Sequence, residues 1–202
     1  MKEPSFIEVV KVKDGVFIDA QPHINRIFRT TSLFFRKPLI VELTDNMIPI
    51  DLNKGVIKCR IVYNSEVISI EFEPYKMRSI ASLAIVEDST IDYSYKYLNR
   101  DHINKLFARR EECDDILIVK NTLITDTSYS NVVFKDSEGK LYTPSRTLLD
   151  GTKRQRLLAK DIIQEKEIHV NDIPSFVGLY VINAMIDIED NLFIGVDSIL
   201  QV

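Results

Sequence analysis

The sequence predicts an α+β protein with more strand than helix, laid out as two lobes. Three observations predict it. Short runs rich in β-branched residues recur along all 202 positions, whereas only three stretches keep apolar residues at helical spacing. A polar junction at Asp88-Ser89-Thr90 parts two halves that each carry their own apolar runs. No long Gly/Ser or Pro-rich linker joins them, so tight packing of the halves is expected. The expected domains are therefore residues 1–90, the smaller, and 91–202, the larger.

The elements follow in order. Ser5 to Val12 reads as a strand, Lys13-Asp14-Gly15 as a hairpin turn, and Val16-Phe17-Ile18 as the return. Pro22 suits the first turn of a helix whose apolar face is Ile24, Ile27, Phe28 and Phe34, ending near Arg36-Lys37-Pro38. Strands are expected at Leu39–Leu43, Val56–Tyr63, Glu66–Tyr75 and Ser79–Val86, with Asn64-Ser65 as a hairpin loop. A helix is expected over Asn99–Glu111, then a buried strand at Ile116–Lys120. Leu123–Phe134 and Leu141–Thr143 flank a turn at Ser137–Lys140, and Gly151 opens a helix to about Asp161. Glu167–Val170, Gly178–Ile182 and Leu192–Val196 complete the strands.

Composition narrows the function. Lys plus Arg number 26 and Asp plus Glu 30, a net charge of −4 that argues against a nucleic-acid binder. No run of about 18 apolar residues offers a membrane span. Met1-Lys2-Glu3-Pro4 is charged and lacks an apolar signal core, so a cytoplasmic location is expected. Cys59 and Cys113 lie far apart and read as reduced thiols, and His23, His102 and His169 are too dispersed for a metal site.

Periodicity stops at that point, but ordered local sequences go further. Lys13-Asp14-Gly15 is followed by His23-Ile24-Asn25-Arg26, and Tyr95-Lys96-Tyr97-Leu98-Asn99-Arg100 places a lysine just before a helix. Then come Thr125-Asp126-Thr127-Ser128-Tyr129-Ser130-Asn131, Tyr142-Thr143-Pro144, Leu148-Leu149-Asp150-Gly151-Thr152-Lys153-Arg154 and Asn183-Ala184-Met185. This ordered set resembles the class IV aminotransferase family, the fold-type IV pyridoxal phosphate enzymes. Branched-chain and D-amino-acid aminotransferases and 4-amino-4-deoxychorismate lyase belong to it. The resemblance spans nearly the whole chain and is strongest from Tyr95 to Leu158.

The resemblance implies two α/β lobes with a cleft between them for pyridoxal 5′-phosphate. It makes Lys96 the Schiff-base lysine, which on release can carry protons. Asp126 falls where the family usually has Glu; a carboxylate beside the pyridine nitrogen favours the protonated, electron-withdrawing ring. Arg26 matches the arginine of the HxxR motif, a phosphate contact, while His23 is as suited to orienting the helix as to touching the cofactor. Gly151, Thr152 and Lys153 stand where the family has its GIT segment at a helix N-terminus, a ready phosphate site. Asn183 and Ala184 match a second phosphate-side loop, and Thr125, Ser128 and Asn131 the shelf beneath the cofactor. For Arg156 a solvated basic face is the preferred reading.

Reaction type is less legible. Asn183-Ala184-Met185 favours a lyase similar to 4-amino-4-deoxychorismate lyase, releasing pyruvate and leaving 4-aminobenzoate for folate synthesis. Val9 stands where such lyases often carry threonine, and this favours the alternative, a transaminase of branched-chain or D-amino-acid type. A non-catalytic binding protein on the same fold is the minor alternative, opposed by the presence of Lys96, Arg26 and Asp126 together. The resemblance further implies a small-molecule amino substrate and a homodimer.

Overall fold

The computed structural model describes residues 3–201. Met1 and Lys2, read above as part of a charged N-terminus, lie outside them. The chain divides into two compact units, residues 3–77 with Tyr95–Asn99, and residues 78–94 with 100–201. The junction expected near residue 90 thus falls inside the second unit. The reason is a strand, Leu83–Glu87, that pairs in parallel with partners far along the chain.

The first unit is an antiparallel sheet with a helix. Strands β1 (Phe6–Lys13), β2 (Val16–Ile18), β3 (Val56–Tyr63) and β4 (Val67–Pro74) lie in the order β2-β1-β3-β4. Strict alternation turns Phe6, Glu8, Val10 and Val12 of β1 inward. Asp14 and Gly15 take left-handed φ of 49° and 79°, a pair of conformations that suits a tight hairpin between twisted strands. Helix α1 (Ala20–Phe35) buries His23, Arg26, Ile27, Thr30 and Thr31, and ends at Arg36, φ 55°, whose N–H returns to Ser32 O at 3.1 Å.

Leu39–Leu43, expected as a strand, joins no sheet. The Leu39 N–H goes to Thr31 Oγ1 at 2.8 Å, not to a ladder, and Leu39, Val41 and Leu43 pack on the core of the sheet. An apolar run between Pro38 and Pro49 can cover a core without pairing, and alternation cannot tell the two apart.

The second unit is built on a nine-stranded mixed sheet. Its strands are β5 (Leu83–Glu87), β6 (Asp115–Lys120), β7 (Leu123–Thr127), β8 (Asn131–Lys135), β9 (Leu141–Pro144), β10 (Gln164–Lys166), β11 (Gly178–Ile182), β12 (Phe193–Gly195) and β13 (Ile199–Gln201). The main path runs β10-β9-β8-β7-β6-β5-β13, and β11 pairs β8 and β12. Helix α2 (Asp101–Phe107) is shorter than expected, and helix α3 (Thr152–Ala159) stops near its expected end. Apolar side chains from β5 to β8 and β11 to β13, among them Leu117, Ile124, Phe134 and Leu179, form its main core.

Three sequence readings change here. The expected run Leu123–Phe134 breaks into β7 and β8, because Thr127 Oγ1 accepts the Ser130 N–H at 3.1 Å and closes a turn. Glu167–Val170 forms no strand but a single bridge, His169 to Leu123, and the strand of this region lies just before it, at β10. Strand β13 was not foreseen, since three residues carry too little pattern. β7 and β8 are joined through one residue pair, Asp126 and Asn131, which are also two of the candidate site residues.

Candidate functional site

In the first unit the site begins with a buried carboxylate. Alternation places Glu8 among Phe6, Val10 and Val12, where an ionised group needs partners. Helix α1 supplies them three residues apart, on one face. Arg26 donates from Nε to Glu8 Oε1 at 2.6 Å and from Nη2 to Oε2 at 2.7 Å, and His23 Nδ1 meets Oε2 at 2.7 Å. Burial opposes ionisation of Glu8, but the Arg26 charge and hydrogen bonds, with those of His23, outweigh it and hold the carboxyl at about 2. Arg26 is thus rigidly oriented, with at least two of its N–H donors on Glu8.

Lys96 belongs to this unit through backbone contacts with β1. Ile7 N–H donates to Lys96 O at 3.1 Å and Leu98 N–H to Ser5 O at 2.8 Å, so that Phe6 bridges Tyr97. Tyr95 and Tyr97 pack on the aromatic core with Phe6 and Phe34. Lys96 itself is half-buried.

The second unit gathers most of the other candidates. Asp126, on β7, accepts the N–H groups of Leu148 and Leu149 on Oδ2, both at 2.9 Å, and Asn131 Nδ2 on Oδ1 at 2.8 Å. Asn131 Nδ2 also donates to Leu149 O at 2.9 Å. Burial pushes Asp126 up to about 6, only partly offset by those hydrogen bonds. Gly151 completes the knot: a Cβ there would lie 1.9 Å from Asn131 Oδ1.

Gly151 is also the N-cap of α3, and its first turn has no side-chain cap. Thr152 follows, half-buried. Lys153, buried, pairs with Asp187, which Arg156 Nη2 also reaches at 3.2 Å. Arg156 therefore sits in an ion pair and is not simply solvated. Asn183 Oδ1 accepts the Met185 N–H at 2.8 Å and the Ile186 N–H at 3.1 Å, forming the turn that holds Ala184, and its Nδ2 donates to Ser130 Oγ at 2.9 Å. Thr125 turns its hydroxyl to its own sheet, donating to Ile118 O at 2.9 Å, and the Ser128 N–H meets Asp115 Oδ1 at 3.3 Å.

Four participants were missed from sequence. Glu8 carried a usable signal, a charged residue on the apolar phase of a strand. Ser130 and Asp187 carried none, being polar residues in polar surroundings. Arg154, buried, braces α3 by donating to Pro144 O at 2.9 Å and pairing with Glu165. Among the described residues no cluster of His, Cys, Asp and Glu could hold a metal ion, and no helix is long and apolar enough to cross a membrane. A cavity of about 380 Å³ in the second unit is lined by Tyr93, Lys120, Thr125, Arg146 and Leu148, among others; Leu148 is shared with the Asp126 knot.

Known proteins match this chain along most of its length. It is 41% identical over 138 residues, 68% of this chain and 73% of the other, to an uncharacterized protein of Haemophilus influenzae. A crystal structure of a candidate 4-amino-4-deoxychorismate lyase from Haemophilus somnus superposes with a TM-score of 0.79 at 28% identity, covering 92% of this chain and 98% of that one. The pyridoxal phosphate-bound form of a hypothetical aminotransferase from Mycobacterium tuberculosis shares the fold, with a TM-score of 0.73 at 16% identity over 90% of this chain and 78% of that one. The model of the amino-transferase class IV family matches residues 5–189. With that match over most of its length, and with a mixed α/β fold shared with fold-type IV structures, the chain belongs to the class IV amino-transferase family.

Proposed function

We propose that the protein is a pyridoxal 5′-phosphate-dependent enzyme of the 4-amino-4-deoxychorismate lyase type, releasing pyruvate and 4-aminobenzoate. The observation that carries the cofactor assignment is Asp126. A carboxylate offers about four acceptor positions, and three are filled by Asn131, Leu148 and Leu149. One remains, suited to a cationic ring N–H, and a cation there would draw the Asp126 carboxyl back down from about 6. Other residues carry chemistry suited to such a group: an amine at Lys96, the oriented guanidinium of Arg26, and one cation, Lys153, paired with Asp187 at a helix start without a side-chain cap, Gly151-Thr152-Lys153, with Asn183-Ala184 as a further loop.

When bound, pyridoxal phosphate supplies an electron sink for negative charge developing next to the substrate amine. The chain's own part is more limited. Lys96 holds the cofactor aldehyde and then moves a proton at Nζ. Asp126 keeps the ring nitrogen protonated. Lys153 and the backbone of Gly151 and Thr152, in the second unit, hold the phosphate; Arg26, in the first, is the guanidinium that the HxxR match assigns to phosphate.

The lyase reading is supported by the Haemophilus somnus protein's name and by Asn183-Ala184-Met185. A transaminase is the second reading, favoured by Val9, which puts no hydroxyl on the face of β1 opposite Glu8. Incubation with pyridoxal phosphate followed by borohydride should fix one cofactor on Lys96, and Lys96→Ala should lose this while keeping its melting temperature. Aminodeoxychorismate should then yield pyruvate and 4-aminobenzoate over many turnovers without a keto acid. Stoichiometric bleaching by amino acids, with no pyruvate from aminodeoxychorismate, would establish the transaminase instead.

A further inference from the structure

We infer that Phe34 of α1 is a positioning residue for Lys96, so that the first unit sets where the amine stands. This rests on the proposed role of Lys96 and goes beyond it.

Tyr95–Asn99 is a short strap belonging to the first unit, with chain of the second unit on both sides. Its backbone is held on β1 by hydrogen bonds at Lys96 O and Leu98 N. Side chains add a restraint that depends on orientation. The Phe34 ring meets Tyr95 edge-on with centroids 4.9 Å apart at 85°, and Tyr97 at 6.2 Å and 86°. It therefore touches both residues that flank the lysine. Phe6 backs the group, 4.9 Å from Phe34 and 5.4 Å from Tyr97. Tyr95 lies in a turn and Tyr97 in a single bridge to Phe6, and their rings also meet each other at 6.1 Å, so the lysine between them is held through both of its neighbours. Edge-to-face contacts are orientation-dependent, which fixes the twist of the strap as well as its position. Phe34 is half-buried and packs on the core of the first unit, with its ring turned to the strap.

The test uses the full chain and pyridoxal 5′-phosphate, following capture at Lys96 by visible absorbance and borohydride trapping across pH. Phe34→Ala should slow capture by roughly 10- to 100-fold, the effect of an ångström-scale misplacement, and should move the pH midpoint. Phe34→Leu, which keeps apolar bulk without a ring edge, guards against loss of fold and should show the same direction. Phe34→Tyr should restore wild-type behaviour. Phe176→Ala, which removes a buried ring packed 4.9 Å from Phe134 in the second unit, should lower thermal stability and leave rate and midpoint unchanged. The inference is overturned if Phe34→Leu keeps the wild-type rate and midpoint, or if Phe176→Ala shifts them equally. Absence of label on wild-type Lys96 would instead remove the proposed function, and this inference with it.

Discussion

Asp126 and Glu8 are both fully buried carboxylates, yet their environments drive them in opposite directions. Glu8 has a cation in direct contact; Asp126 has only neutral donors, so burial prevails and raises it to about 6. The consequence for stability has a definite sign. In the unfolded chain an aspartate titrates near 4, so between about pH 4 and 6 the folded state binds the Asp126 proton more tightly. Stability of the cofactor-free protein should therefore fall as pH rises through that window, by roughly 3 kcal/mol in total from this group. Glu8 acts oppositely: its contribution is present above about pH 4.5 and is lost as pH falls towards 2. Urea titrations of Asp126→Asn at a series of pH values should lack the decline between pH 4 and 6 expected of wild type. Equal slopes for the two proteins would show that Asp126 titrates alike in the folded and unfolded chain.

Among the elements, the start of α3 depends on a glycine for steric reasons alone. Gly151 has an ordinary φ of −72°, so conformational freedom is not what the position demands. It demands space for Asn131. Gly151→Ala should turn the Asn131 amide away from Asp126 and Leu149, costing about 1–3 kcal/mol in urea unfolding. Adding Asn131→Ala should return part of that loss; no recovery would refute the steric account. This element was legible in sequence because Gly151-Thr152-Lys153 precedes a helical pattern at its place in the ordered motifs. So were β1, β3 and α1, whose periods of two and 3.6 extend over eight or more residues. What escaped was short or non-local. Three residues at β13 carry no period, and their parallel pairing with β5 depends on chain more than a hundred residues away. The site was readable in its motif residues and unreadable in their partners, since Asp187 is an acid in an acidic stretch until a buried Lys153 gives it a role.

At the scale of the molecule, the candidate residues fall in two compact units: Arg26 and Lys96 in the first, Asp126, Asn131, Gly151, Thr152, Lys153, Asn183 and Ala184 in the second. A ligand stabilises whatever part of the fold it needs by mass action, by about 2.7 kcal/mol at a hundredfold excess over Kd. With pyridoxal phosphate present, hydrogen exchange should therefore slow in β7 and at the start of α3, where Asp126 and Lys153 stand. Unchanged exchange there would remove the role proposed for the second unit's residues.

The strap Tyr95–Asn99 also bears on how such a protein can diversify. A chain that leaves one unit, returns for five residues and leaves again has three junctions, at 77/78, 94/95 and 99/100. Recombination with a relative at a single crossover near residue 77 would inherit β1 and α1 from one parent and their aromatic partners Tyr95 and Tyr97 from the other. The first unit is therefore not a cassette that can be exchanged in one cut; viable chimaeras should be those in which Phe6, Phe34, Tyr95 and Tyr97 descend together.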